Sequence, residues 1–181
     1  MGMLHKLGLM AWLWLASLYP LQAQTTWHAA QASVTFSIDK LGGTAEGSFG
    51  GFEGTLVFDP AQPERSRLEA SVQTATLKTG IAMRDRHLRS DDYFDAERYP
   101  LIRMASQSVR ATPTGYEGRF LLTLKNVTRP VVVPFTFTPQ PGGKARFAGS
   151  LSFNRRDFGV GPKTFMLEDE VRLKIVVDAQ P

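Results

Sequence analysis

Chemistry needs an activated group, and this chain offers few. Three histidines (His5, His28 and His87) occur in 181 residues, and there is no cysteine. The missing cysteine removes disulfides, thiol nucleophiles, iron–sulfur clusters and Cys-ligated zinc together. No H-E-x-x-H pair and no G-x-S-x-G elbow is present, so neither a zinc hydrolase nor an α/β-hydrolase site is spelled out. A serine–histidine–aspartate site around His87 has no local motif behind it. Asp91, Asp92, Asp95 and Glu97 crowd one segment, but the calcium-loop spacing with its central glycine is absent. They read as a solvated helix end and turn. The glycines of GSFGGFEG (47–54) lack the lysine and the strand–loop–helix setting of a phosphate loop. Asn126-Val127-Thr128 has the form of a glycosylation acceptor and reads as a hairpin turn. No catalytic residue, metal ligand or cofactor is assigned, and the chain is expected not to be an enzyme.

What remains is apolar. The chain holds 12 Phe, 4 Tyr and 3 Trp, and most of them recur every second residue. Val34, Phe36 and Ile38 alternate with Ser33, Thr35 and Ser37, and Leu68, Ala70 and Val72 with Glu69, Ser71 and Gln73. The same texture returns at Phe52, Leu56 and Phe58, at Ile102 and Met104, and at Tyr116, Phe120, Leu122 and Leu124. It continues at Val131 to Phe137, at Phe147 to Phe153, and at Val171, Leu173, Ile175 and Val177. Period two marks half-buried strands. Turn residues separate them: Leu41-Gly42-Gly43, Asp59-Pro60, Pro113-Thr114-Gly115, Asn126 to Pro130 and Pro141-Gly142-Gly143. Glycines 47, 50, 51 and 54 fall inside strand texture, where they mark bulges or sharp bends.

Residues 79–99 break the alternation. They read as a short helix near 81–90, with Thr79 as its cap and Asp85 and Arg89 at i,i+4, ended by Pro100. The fold class is therefore all-β: an eight-stranded antiparallel up-and-down barrel, lipocalin-like, with one inserted helix. Closure removes exposed sheet edges, and eight strands enclose room for their own side chains or one small ligand. Whether the inward aromatics fill the barrel or line a hollow is left open by alternation alone.

Residues 1–23 have secretory-signal architecture: Lys6, an apolar run from Leu7 to Leu18, a break at Pro20 and a small residue at Ala23. The run is shorter than the roughly 20 residues that span a bilayer. A cleaved leader, a periplasmic location and one domain over 24–181 are expected, with an uncleaved anchor as the alternative. The net charge is +4, and its basic residues are scattered among acids rather than clustered, which argues against nucleic acid.

The motifs MRDRHLRSDDYFDAERYP (83–100), SVTFSIDKLGGTAEGSFGGFEGTLVFDP (33–60), LTLKNVTRPVVVPF (122–135), NRRDFGVG (154–161) and EDEVRLKIVVDA (168–179) together resemble the YceI family. These are lipocalin-like polyisoprenoid-binding proteins of the bacterial periplasm. Asp39-Lys40 departs from the pattern, where members often carry a histidine before Leu41-Gly42, and Asn126 stands where glycine is common. The resemblance implies a barrel that binds, stores or carries an isoprenoid lipid, a polyprenyl or a quinone tail. It also implies a context that includes cytochrome b561-type membrane partners, and a homodimer is compatible with it. A solidly packed stress or interaction protein and an enzyme acting on a lipid or quinone are the other readings.

On this reading the wall facing the tail is Phe36, Ile38, Phe49, Phe52, Leu56, Phe58, Val72, Ile102, Met104, Phe120, Leu122 and Phe135, with Leu88 and Phe94 as a lid. Arg84, His87, Arg89 and Arg156 stand at the mouth. They either meet a polar head through charge-assisted bonds or pair with Asp85, Asp91, Asp92 and Asp157 to fix the helix.

Overall fold

The computed structural model describes residues 24–181; the expected leader, 1–23, lies outside the described residues. In chain order the elements are Thr26–Lys40 (β1), Gly43–Phe49 (β2), Glu53–Val57 (β3), Arg67–Gln73 (β4), Ala82–Arg89 (α1), Leu101–Thr112 (β5), Gly115–Leu124 (β6), Val127–Gln140 (β7), Lys144–Asn154 (β8) and Leu167–Gln180 (β9). Every strand pairing is antiparallel, and β1 pairs with β9 to close the sheet.

Nine strands occupy eight positions. One edge of β1 runs along β9, while its other edge takes β2 at Val34–Lys40 and β3 at Thr26–His28. β2 and β3 are thus one strand broken between Phe49 and Glu53. The break is where Gly50 and Gly51 stand. Gly51 has φ +62°, a left-handed value that glycine adopts without strain, and a Cβ there would press on the Gln73 side chain at 2.6 Å. Thr76 secures the bend from outside, accepting from the Gly50 amide at 2.7 Å and donating to its carbonyl at 3.0 Å. The expected bend is therefore real at Gly50–Gly51, while Gly47 and Gly54 lie inside β2 and β3. A second expectation needs correction. Val127 to Pro130 is not turn but the start of β7, paired in register with Leu121–Leu124. The turn is only Lys125–Asn126.

The antiparallel course sorts the connections between the two ends of the barrel. The β3–β4 link, the turns at 113–114 and 141–143 and the C-terminus lie at one end. The Leu41–Gly42 turn, the α1 segment, the Lys125–Asn126 turn and the 155–166 segment lie at the other.

The first end is plugged by rings. Phe58 has no exposed surface, and its ring centroid lies 4.9 Å from Tyr116, 5.0 Å from Phe137 and 5.5 Å from Phe147. Trp27 packs edge-on to Phe137 at 5.4 Å, and its indole N–H donates to the Phe58 carbonyl at 3.1 Å. Edge-to-face pairs of this kind add to plain burial. Replacing Phe58 by alanine should lower stability by about 3–5 kcal/mol, since a rigid ring cage collapses poorly into the void. Urea denaturation reads this directly; a loss under about 1 kcal/mol would mean that the plug is not tightly packed.

Candidate functional site

The other half of the barrel is hollow. A cavity of about 390 Å³ lies there, lined almost wholly by hydrocarbon. That volume falls within the range of about 300–1,000 Å³ typical of small-molecule sites. β1 supplies Val34, Phe36 and Ile38; β4 supplies Leu68, Ala70 and Val72; β5 and β6 supply Ile102, Met104, Phe120 and Leu122; β9 supplies Val171, Leu173, Ile175 and Val177. These are the inward rows of their strands, so pleating alone sends them to the lumen.

The lumen stays open because small residues stand opposite large ones. Phe36 faces Gly47 across the β1–β2 pair. A Cβ at Gly47 would overlap the Phe36 ring, so the ring lies flat where a side chain would otherwise stand. Gly118 serves Phe120 in the same way, two residues along β6. Ala45, Ala70 and Gly149 also line the hollow and project little into it.

Of the expected wall and lid, Phe36, Ile38, Phe49, Phe52, Leu56, Val72, Leu88, Phe94, Ile102, Met104, Phe120, Leu122 and Phe135 line this cavity, as do Arg84 and His87. Phe58 does not; it belongs to the plug at the far end. Alternation says which face a residue takes but not its height along the axis. The β9 wall is the main omission from the expected lining. Its period-two run was visible and pointed to the same interior.

Above the hollow, Phe36, Phe49 and Phe94 form a chain of ring contacts at 5.4 and 5.7 Å. Leu122, Leu124, Phe158 and Val160 make a second small core at this end, with Tyr93 and Phe94 packed on it. α1 is tied down by polar groups instead. Ile81, not Thr79, precedes the first helical residue, and no side chain caps the helix. Thr79 works the other way round. Its amide donates to the Asp85 carboxylate at 2.8 Å, and its hydroxyl donates to the same oxygen. Arg84 donates to the Thr79 hydroxyl at 2.7 Å and to its carbonyl at 2.8 Å. Arg89 donates to the carbonyls of Ala75 and Leu77, each at 3.2 Å.

The expected pairing of Arg84, His87, Arg89 and Arg156 with acids is therefore corrected. Among the described residues none of the four forms an ion pair. The three arginines bond backbone carbonyls, Arg156 that of Gly161, and His87 sets its ring edge-on to Tyr93 at 4.9 Å. The neighbouring Arg155, which the sequence reading passed over, is the deepest cation. It is 3% exposed and donates to the carbonyls of Glu168, Val160 and Pro162 and to the Asp169 carboxylate at 2.8 Å. A buried guanidinium so fully bonded fixes the 155–169 segment across the mouth, and removing a partner would leave a charge unpaired. Asp39 holds Arg172 of β9 at 2.8 and 3.0 Å.

A YceI-like domain model matches residues 26–179. The "UPF0312 protein" of Pseudomonas fluorescens is 39% identical over 140 residues, 71% of each chain. The crystal structure of Burkholderia cenocepacia BcnA superposes with a TM-score of 0.77 at 28% identity, covering 82% of this chain and 96% of that one. A polyisoprenoid binding domain from Saccharophagus degradans, implicated in plant cell wall breakdown, superposes with a TM-score of 0.68 over 87% of this chain and 98% of that one. At 11% identity this last likeness is one of fold.

The Asp85 carboxyl is held below the usual carboxylate range, first by the hydrogen bond from the Thr79 hydroxyl. Asp39 and Asp178 are lowered by bonds from Arg172 and Arg146. A lowered folded pKa means that the unfolded chain binds more protons, so stability rises with pH across that window. The contribution is complete above the unfolded value, about 3.9, and is lost as pH falls through the depressed values. Thermal melting between neutral and acid pH should show this fall, and Asp85→Asn should flatten part of it. An unchanged acid slope in that variant would remove Asp85 from the account.

Proposed function

This chain belongs to the YceI family, and from that premise we propose that it binds the tail of an isoprenoid lipid, a polyprenyl or a quinone, in the hollow half of its barrel, without catalysis. The observation that carries the reading is a hydrocarbon-walled cavity of about 390 Å³ kept open by small wall residues. Water gains little in such a wall, because it finds too few polar partners. An apolar guest gains about 0.8 kcal/mol for each CH₂ it brings in from water.

The volume suits a segment of a long chain rather than the whole of it, with the remainder leaving by the mouth. Arg84 and His87 line that approach, and a guest's polar end would meet them there. Because a lipid in a bilayer is already out of water, transfer into the barrel is close to balanced. That favours storage or carriage over irreversible capture. The polyisoprenoid-binding domain with the same fold supports the choice of ligand class by analogy of fold. An exported, periplasmic protein is part of the same proposal, supported by the leader-like residues 1–23. A homodimer and a cytochrome b561-type membrane partner rest on the family resemblance.

Protein purified from its own host and analysed by native mass spectrometry should carry one isoprenoid per chain. The variant Phe36→Asp, which places a charge in the apolar wall, should keep its fold by circular dichroism and lose that lipid. Wild-type protein with no bound lipid, or a folded Phe36→Asp that retains it, would overturn the reading.

A further inference from the structure

Three of the phenylalanines that line the hollow half each rest on a glycine. Phe36 lies against Gly47 across the β1–β2 pair, Phe52 against Gly54 two residues along β3, and Phe120 against Gly118 two residues along β6. At Gly54 the ring carbons stand 3.0 and 3.1 Å from where a Cβ would be; at Gly47 and Gly118 a Cβ would overlap the ring outright. In the plug, Phe58, Phe137 and Phe147 stand against one another instead, with centroids 5.0, 5.1 and 5.5 Å apart. A glycine seat makes a ring part of the wall, whereas a ring seated on rings fills the middle.

The seats differ in height. Gly47 belongs to the strand that leaves the mouth turn at Leu41–Gly42. Gly118 stands at the floor: it is buried, and its strand partners are Val109 and Val133, which share one core with Trp27 and Phe58. Arg84 and His87 line the mouth, while the floor offers aromatic carbon, so an amphiphilic chain enters tail first. The wall that β9 gives the lumen runs from Val171 to Val177. With a rise of about 3.3 Å per residue and a strand tilt of about 40°, that wall is about 15 Å tall. An extended chain advances about 1.2 Å per bond, as the polypeptide backbone does, so this height takes about 12 main-chain carbons, or about three isoprene units.

We propose that the lumen measures its guest: it takes about the last three isoprene units of a prenyl chain, and Gly118 is the residue that sets its floor. The inference rests on the reading of the lumen as an isoprenoid site and adds a length rule to it. A chain that stops short of the floor leaves hydrocarbon wall uncovered. A chain longer than the lumen keeps its further units outside the mouth, where the wall gives them nothing. The barrel therefore separates short prenyl chains from longer ones and does not separate the longer ones from one another. Gly118 carries the rule because any Cβ there evicts the Phe120 ring from its seat, with the wall behind the ring and the lumen in front of it.

The test offers an equimolar mixture of prenols of two, three and four isoprene units (geraniol, farnesol and geranylgeraniol) to protein extracted free of resident lipid. Its circular dichroism is first matched to that of untreated protein, and the occupancy of each prenol is read by native mass spectrometry. Farnesol should bind at least about tenfold more tightly than geraniol, since the added unit is buried, and geranylgeraniol should match farnesol within about twofold. Gly118→Ala should weaken farnesol at least about tenfold more than geraniol, because the shortened lumen still holds the smaller guest. Adding Phe120→Leu to that variant removes the ring that the Cβ displaces and should restore farnesol. A variant that merely folds poorly would lose both guests alike, and the added leucine would not separate them. Binding that keeps climbing tenfold at the fourth unit, or a Gly118→Ala that weakens geraniol and farnesol equally, overturns the length rule and leaves the isoprenoid site standing. No binding of any prenol by the wild type overturns both.

Discussion

A hydrocarbon-walled lumen in one half of the barrel is the constraint on which this structure turns. Both halves of the barrel are built from the same period-two rows, yet one is full and the other is not. In the full half, Trp27, Phe58, Tyr116, Phe137 and Phe147 meet ring against ring. In the other half, Gly47 and Gly118 let the rings of Phe36 and Phe120 lie along the wall, and Ala45, Ala70 and Gly149 leave the middle unfilled. Native interiors are packed to the density of organic crystals. The lining of such a lumen forgoes contacts that an apolar guest would supply.

The plug and the lid then have distinct physical characters. The plug is held by burial and aromatic edges, which are indifferent to pH and salt. The lid is held by polar groups: Thr79 and Asp85, Arg84, and Arg89 on the carbonyls of Ala75 and Leu77. α1 buries little of its own, with Asp85 as its only buried residue. Arg155 and its carbonyl partners anchor the opposite rim. Guanidinium groups bonded to backbone carbonyls thus hold both sides of the mouth.

Much of this was legible in the chain. The alternating runs became strands, Gly50–Gly51 became the bend, and the charged segment at 79–99 became the inserted helix. Fifteen of the residues assigned to the site line one cavity, because pleating turns alternation into a face. Height along the barrel was not legible, since it depends on register set across many strands. Phe58 therefore fell at the plugged end. Gly43–Phe49 was not singled out as a strand; it shares one position with Glu53–Val57, and only the pairing of β1 reveals that the two continue one another. Arg155 was invisible beside Arg156. Adjacent residues of one type differ only in which way a 3-10 turn points them, here the turn Arg155–Phe158, capped by Asn154 and Gly159.

Phe36, Val72, Met104 and Ile175 line one space, which on the proposed function holds a chain of apolar carbon. A crystal structure of the protein isolated from its native host tests it most directly. The claim predicts continuous density for a narrow hydrocarbon chain running down the lumen from beneath α1 and stopping at the aromatic plug. The rings of Phe36, Phe52 and Phe120 swung inward to fill that space, with no guest, would contradict it.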